Sequence, residues 1–206
     1  MALYLKIHPD NPAERLLNKA VDILRDGGVI IYPTDTVYGI GCDITKSKAV
    51  EKVSRIKGVK HDKSNFSFIC YDIKHISEFT TPIENHIFKL LKRNLPGPFT
   101  FILQANNNVQ RILKTNKKTV GVRVPENNII REIVRILGNP ILTTSLKNDD
   151  EIIEYTTDPE LIYEDYNDLV DLVIDGGYGN NIPSTVVDCT YDEIVVVRQG
   201  LGELIV

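Results

Sequence analysis

Residues Gly27 to Gly41 read Gly-Gly-Val-Ile-Ile-Tyr-Pro-Thr-Asp-Thr-Val-Tyr-Gly-Ile-Gly, and this stretch constrains the chain more than any other. Two glycines stop whatever helix precedes them. Val29, Ile30, Ile31 and Tyr32 are β-branched or aromatic, which suits a buried strand. Pro33 has no N–H for a ladder, so regular pairing must stop there. Beyond it stand Thr34, Asp35, Thr36 and Tyr38, three short oxygen-bearing side chains and a tyrosine. A rigid strand that empties into such a turn has two uses. The turn can cap its own backbone, or it can present polar groups to a ligand. Local pattern leaves both open.

The other segments support a sheet with helices packed on it. Met1 to His8 reads as an edge strand. Asn11-Pro12-Ala13-Glu14 reads as a helix start with Asn11 as cap, followed by Leu16, Leu17, Ala20, Val21 and Leu24 at helical spacing. Lys46 to Ile56 is a second helix, with Val59 to Ser64 a polar loop. Asn65 to Tyr71 is a strand, and a short helical piece lies around Ile76 to Phe79. Thr81-Pro82-Ile83-Glu84 repeats the capping signature, and that helix ends near Asn94. Leu95-Pro96-Gly97-Pro98 is a rigid loop, Phe99 to Leu103 a strand, and Asn106 to Asn108 a loop tip. Thr119 to Val124 is a strand, Asn128 to Leu137 a helix ended by Gly138, and Ile141 to Thr144 a strand leading into Ser145. Asp158-Pro159 starts a helix. Leu169 to Ile174, Ser184 to Asp188 and Ile194 to Arg198 complete the sheet. About eight strands and five or six helices, with strands often adjacent in sequence, predict an α/β fold with a mixed, twisted sheet. With 206 residues, 42% of them hydrophobic, one domain over 1–206 is expected.

Charge is unevenly spread. Lys46 to Lys63 holds seven Lys/Arg against two acids, and Val109 to Pro125 holds five and no acid. Asp149 to Asp175 holds eleven acids and no Lys or Arg. The basic segments suit an anion site or a nucleic-acid surface, and the acidic one a solvated face. No apolar run approaches the roughly 18 residues of a membrane span, and His8, Pro9 and Asp10 interrupt any leader. A cytoplasmic protein with no membrane partner is expected. Cys42, Cys70 and Cys189 are far apart and lack zinc spacing, so they read as structural thiols.

Several chemistries have no motif. There is no GxxxxGK[ST], and Gly39-Ile40-Gly41 lacks the third glycine of a dinucleotide fingerprint. There is no HExxH and no GxSxG, and the four histidines are scattered. Nothing marks a catalytic nucleophile or a tightly bound cofactor. Hydroxyls at strand ends and basic residues in loops remain, an inventory suited to holding phosphate or carboxylate.

Seven short motifs follow one another: Tyr-Pro-Thr-Asp-Thr-Val-Tyr-Gly, Leu-Pro-Gly-Pro-Phe-Thr, Gly-Val-Arg-Val-Pro, Thr-Thr-Ser, Asp-Gly-Gly, Ser-Thr-Val-Val-Asp and Val-Arg-Gln-Gly. In this order they resemble the YrdC/TsaC family of threonylcarbamoyl-AMP synthases, from about Asn11 to Gly200. The opening His-Pro-Asp-Asn-Pro and the segment Asn65 to Cys70 look like the YciO branch of that family.

The resemblance implies a YrdC-like fold with a large, concave, basic cavity. It also implies a reaction: L-threonine, bicarbonate or CO2, and ATP with Mg²⁺ give threonylcarbamoyl-adenylate and pyrophosphate. Transfer proteins then carry the group to tRNA in the t6A modification. By the same resemblance Thr34, Tyr38 and Ser184 bind substrate, and Lys57, Arg123, Ser145 and Arg198 bind nucleotide or phosphate. The chain departs from the family pattern at two places. Val59 stands where a KxR element has its arginine, leaving Lys60 to reach in. Lys147 stands where an SxN element has its asparagine, with Asn148 one place on. An alternative follows from those changes: a paralogue that keeps the cavity to bind nucleotide, tRNA or other structured RNA without the synthase reaction.

Overall fold

A computed structural model of the chain describes residues 1–59, 66–146, 157–191 and 193–206. The strands are β1 (Leu3–Lys6), β2 (Ile30–Tyr32), β3 (Gly39–Asp43), β4 (Ser67–Ile69), β5 (Phe99–Gln104), β6 (Thr119–Arg123), β7 (Ile141–Ser145), β8 (Leu172–Asp175), β9 (Thr185–Asp188) and β10 (Val195–Arg198). The helices are α1 (Glu14–Arg25), α2 (Ser47–Ile56), α3 (Ile73–Ser77), α4 (Asn85–Asn94), α5 (Asn107–Leu113), α6 (Asn128–Leu137) and α7 (Pro159–Tyr166). All ten strands join one sheet in the order β1-β8-β2-β3-β7-β4-β6-β5-β9-β10. Four pairs are parallel (β1 with β8, β2 with β8, β4 with β6, β5 with β9) and the rest antiparallel, so the sheet is mixed. No helix of the described residues is long and apolar enough to cross a membrane.

Local chemistry explains most boundaries. Helix α1 ends where Gly27 takes φ 84° and its N–H bonds the carbonyl of Leu24. Helix α6 is capped by Asn127 and stopped by Gly138 at φ 80°. Asp158 caps α7, accepting from the amide of Glu160. Three expectations fail. Asn11 and Thr81 are not caps: α1 starts from Ala13 and α4 from Glu84, both extended and neither with a side-chain cap bond. Asn106 to Asn108 is not a loop tip, since Asn106 caps α5. Gly39 to Gly41, the end of the stretch read as opening into a polar turn, belong to a fully buried strand, β3.

Period-2 alternation sorts the strand residues onto two faces. Ile31, Ile40, Phe68, Phe99, Phe101, Leu103, Val120, Val122, Leu142 and Val173 face a core shared with α2, α3, α4, α5 and α7. Ile30, Tyr32, Ile69, Ile141, Leu172 and Ile174 face the opposite way, under α1 and α6. Those two helices cover only part of their face. Along β4 and β7 the residues on that face change from Ile69 and Ile141 to Ser67, Thr143 and Ser145. On β5 and β6 they are Thr100, Ile102, Thr119, Gly121 and Arg123. The uncovered half of the face is therefore largely polar, and it holds a cavity.

Strand β3 is made flat for a packing reason. A Cβ on Gly41 would lie 2.3 Å from the Leu142 carbonyl oxygen and 2.7 Å from Ile141 Cγ2, and one on Gly39 would lie 3.0 Å from the Tyr32 ring. Tyr32 uses this space to reach across β3 toward β7, where its hydroxyl meets Thr143 Oγ1 at 2.5 Å. Gly41→Ala should cost about 2 kcal/mol by forcing β3 off β7. Urea unfolding checks this; an unchanged midpoint would show that the ladder yields without cost.

Candidate functional site

Six consecutive strands, β7-β4-β6-β5-β9-β10, form the floor of a cavity of about 370 Å³. Its polar lining comprises Ser67, Thr100, Thr119, Thr143, Thr144, Ser145 and Ser184, with Lys117, Arg123 and Arg198 as cations. No described residue lining it is acidic. The volume falls in the range of small-molecule sites.

Arg123 stands at the border of the apolar and polar halves of the face, at the end of β6 before Pro125. Its residue is only 9% exposed. Nη2 donates to Asp35 Oδ1 at 3.2 Å and to Thr36 Oγ1 at 2.9 Å. Nε is buried and has no hydrogen-bond partner among the described residues. Burial pushes the guanidinium pKa down, Asp35 opposes this, and the neighbouring charge of Arg198 adds to it. Asp35 is held in turn, its Oδ2 accepting from the amide of Glu126 at 3.0 Å. The two arginines thus concentrate positive charge in a poorly solvated corner.

Ser184 immediately precedes β9 and is 4% exposed. Its hydroxyl shares a hydrogen bond with Thr100 Oγ1 at 2.8 Å, and its carbonyl accepts from Arg198 Nη2 at 3.0 Å. Behind it, Thr185 Oγ1 donates to the Gly202 carbonyl at 2.6 Å and accepts from the Gly200 amide at 2.9 Å. A Cβ on Gly200 would lie 2.2 Å from the Pro183 carbonyl oxygen. The glycine after Val-Arg-Gln is what lets the tail lie against Ser184.

The fold brings Arg123, Ser145, Ser184 and Arg198 into this one cavity. Lys57 meets it at the Ser145 end, where Nζ donates to the Ser145 carbonyl at 2.9 Å. Thr34 lies elsewhere. Its Oγ1 donates to the Val37 carbonyl at 2.8 Å and accepts from the Thr36 amide at 3.0 Å, closing the turn on itself. With Asp35, Thr36, Tyr178 and Asn180 it lines a separate, open cleft on the far side of that turn. Tyr38 is 1% exposed and faces the core. Its hydroxyl donates to the Gly177 carbonyl at 2.7 Å and accepts from the Gly176 amide at 3.2 Å, pinning the Asp-Gly-Gly turn. Lys60 and Asn148, together with Lys147, lie outside the described residues.

Sequence reasoning passed over Asp35, Thr36, Thr100, Lys117 and Thr143 as site residues. Each lay inside a motif or a basic segment already singled out. Their alternation with core residues on the same strands was the available signal for Thr100 and Thr143. Nothing local could have paired Asp35 with Arg123, 88 residues away.

Chemically the lining suits holding and polarising an anion. Its described lining offers hydroxyl donors and cations but no thiol and no carboxylate base. Cys42 and Cys70 are buried, with burial pushing both thiols up, and Cys189 is pushed up to about 11 for the same reason. Among the described residues no three His, Cys, Asp or Glu side chains form a metal-binding group.

Residues 22–200 match the model of the family Sua5_yciO_yrdC, described as telomere recombination. The chain is 44% identical over 206 residues to the Escherichia coli protein YciO, covering 99% of this chain and 98% of that one. The crystal structure of E. coli YciO superimposes with a TM-score of 0.89, covering 98% of each chain. The threonylcarbamoyl-AMP synthase of Coxiella burnetii is 27% identical over 180 residues, covering 87% of this chain and 95% of that one. The structure of Pyrococcus abyssi Sua5 complexed with L-threonine superimposes with a TM-score of 0.86 at 25% identity, covering 97% of this chain and 58% of that one. On this evidence, carried along nearly its whole length, the chain belongs to the Sua5/YciO/YrdC family and is related to its threonylcarbamoyl-AMP synthases.

Proposed function

We propose that this protein condenses L-threonine, bicarbonate and ATP into threonylcarbamoyl-adenylate, releasing pyrophosphate and supplying the t6A modification of tRNA in the cytoplasm. The observation that carries the reading is the lining of the cavity: three cations and seven hydroxyl side chains, and no acid among the described residues. Such a site suits a reaction in which both partners are anions. The family relationship to threonylcarbamoyl-AMP synthases supports the choice of reaction.

The threonine amine and bicarbonate form a carbamate with loss of water. A carbamate oxygen then bonds to the α-phosphorus, and the bond to the bridging oxygen breaks, its electron pair leaving on pyrophosphate. The substrate is the nucleophile, so the protein has only to hold two anions together and stabilise the leaving group. Arg123 and Arg198, with Lys57, Lys60, Ser145 and Asn148, hold the phosphates in this reading, while Ser184 holds the threonine end and Val37, the residue of the Thr34 turn that lines the cavity, shapes it; Thr34 itself acts only by closing that turn. Tyr38 acts from behind, by fixing the Asp-Gly-Gly turn. Arg123 suits its role because its desolvation has been met on folding, so little reorganisation is left for catalysis.

Incubation of the purified protein with ATP, Mg²⁺, threonine and labelled bicarbonate should yield labelled threonylcarbamoyl-adenylate with matching pyrophosphate. A yield no greater than that of a protein-free control, with enzyme in large excess over catalytic amounts, contradicts the reaction. Salt-sensitive binding of structured RNA in that case would favour the non-synthase alternative.

Arg123→Gln should lower kcat/KM by about 10²–10³, the usual loss for a donor aimed at developing charge. Asp35→Asn should cost less, about tenfold, because Arg123 keeps Thr36 as a partner but loses its counter-ion. Steady-state kinetics on both variants distinguish the two, and a larger loss for Asp35→Asn would reverse their assigned roles. Val59→Arg combined with Lys147→Asn should tighten ATP binding. Val59 is 39% exposed, just beyond the end of α2 and two residues past Lys57. An unchanged ATP affinity would mean that other side chains already grip the phosphates.

A further inference from the structure

We propose that Tyr32 is a positioning residue of the cavity: it fixes the proton of the Thr143 hydroxyl so that Thr143 donates a hydrogen bond to an anionic substrate. The inference deepens the anion-binding reading above and rests on it.

Tyr32 is wholly buried and does not line the cavity. It belongs to β2, and β3 separates it from β7 in the sheet. The ring crosses β3 because Gly39 and Gly41 carry no side chain. A Cβ on Gly41 would lie 3.1 Å from the Tyr32 hydroxyl oxygen, and one on Gly39 would lie 3.0 Å from Cε2. Two glycines and a buried phenol are a costly way to fill a core, where phenylalanine would need no polar partner. Among the described residues the phenol's hydrogen-bond partner is Thr143 Oγ1, at 2.5 Å.

The direction of that bond follows from chemistry. Burial pushes the Tyr32 pKa up, so the phenol keeps its proton, and Thr143 Oγ1 is the acceptor it reaches among the described residues, so it donates there. Thr143 Oγ1 therefore accepts, and its own proton must point elsewhere. Thr143 is 3% exposed and lines the cavity, and no described residue accepts a hydrogen bond from it. With the phenol on one side, the proton is left to the cavity that Thr143 lines, where an oxygen of a bound ligand would accept it. Arg123, whose charge also acts on Tyr32, lines the same cavity with its buried Nε unpartnered. A hydroxyl free to rotate would present a lone pair part of the time, which repels an anion. With Tyr32 in place it presents a donor.

A double-mutant cycle on ligand binding tests this without depending on turnover. ATP and L-threonine are titrated calorimetrically, each alone and then with the other present, into the wild type, Tyr32→Phe, Thr143→Val and the double variant, with Thr143→Ser as the conservative control. Tyr32→Phe should weaken one ligand by about tenfold, and Thr143→Val should weaken the same ligand at least as much. The double variant should match Thr143→Val within about twofold, and Thr143→Ser should bind like the wild type. Losses that multiply in the double variant, or an unchanged affinity in Tyr32→Phe, would overturn the relay, since a purely structural tyrosine predicts either. Coupled binding without threonylcarbamoyl-adenylate formation would refute the reaction and leave the relay standing. Product formation with uncoupled losses would refute the relay alone, and failure of the wild type to bind either ligand would overturn both.

Discussion

A guanidinium that is nine-tenths buried needs a carboxylate, and in this protein Arg123 finds Asp35. The pair ties the end of β6 to the turn after β2 across 88 residues of chain. It stands where the sheet face changes from the apolar half under α1 and α6 to the polar half over the cavity. Removing one partner of such a pair costs about 3–5 kcal/mol, because the other charge is stranded in a poorly solvated site. The same desolvation makes the site useful. An anion entering beside Arg123 would meet a cation already largely desolvated, whose Nε–H has no partner among the described residues.

The cavity results from incomplete coverage of the sheet. Helices α2, α3, α4, α5 and α7 close one face. Helices α1 and α6 close only the β1-β8-β2 side and the near ends of β4 and β7 on the other. Strands β5, β6, β9 and β10 pass beyond them, and their alternate residues face the opening. Binding groups therefore sit on strands fixed by a continuous ladder. Ser184, Thr100 and Arg198 are linked by hydrogen bonds before any ligand arrives. That is preorganisation in the sense that matters for stabilising developing charge.

Much of this was legible in the chain. The strand ending at Pro33, the helix from Asn128 to Gly138 and the strand ending at Ser145 follow from β-branched runs, Asn caps and glycine stops. What escaped has a nonlocal cause. Gly39 and Gly41 argue against a strand on propensity, yet β3 is a strand because Tyr32 needs their missing side chains. Asn106 to Asn108 resembles a loop because asparagines favour turns, but Asn106 is spent capping α5, which buries Val109. In the site, Arg123, Ser184 and Arg198 were marked by their motifs. Asp35 was visible only as one of several oxygen-bearing residues in a turn, and its pairing with Arg123 is a product of the fold. Thr34 shows the converse: the turn that carries it was conspicuous, yet its hydroxyl is engaged within that turn.

The family relationship and the lining of the cavity bear on the same question from two sides, one from descent and one from electrostatics. The resemblance implies a phosphate grip near Val59 and Lys147, while Arg123, Arg198, Ser145 and Ser184 line the cavity on the sheet. The central claim is that those sheet residues form the anion site. A crystal structure of the protein grown with a non-hydrolysable ATP analogue and L-threonine tests it most directly. The account predicts phosphate oxygens between Arg123 and Arg198, with Ser145 and Ser184 in contact with the ligands. Nucleotide seated in the open cleft beside Tyr178, with the sheet cavity holding only water, would contradict it.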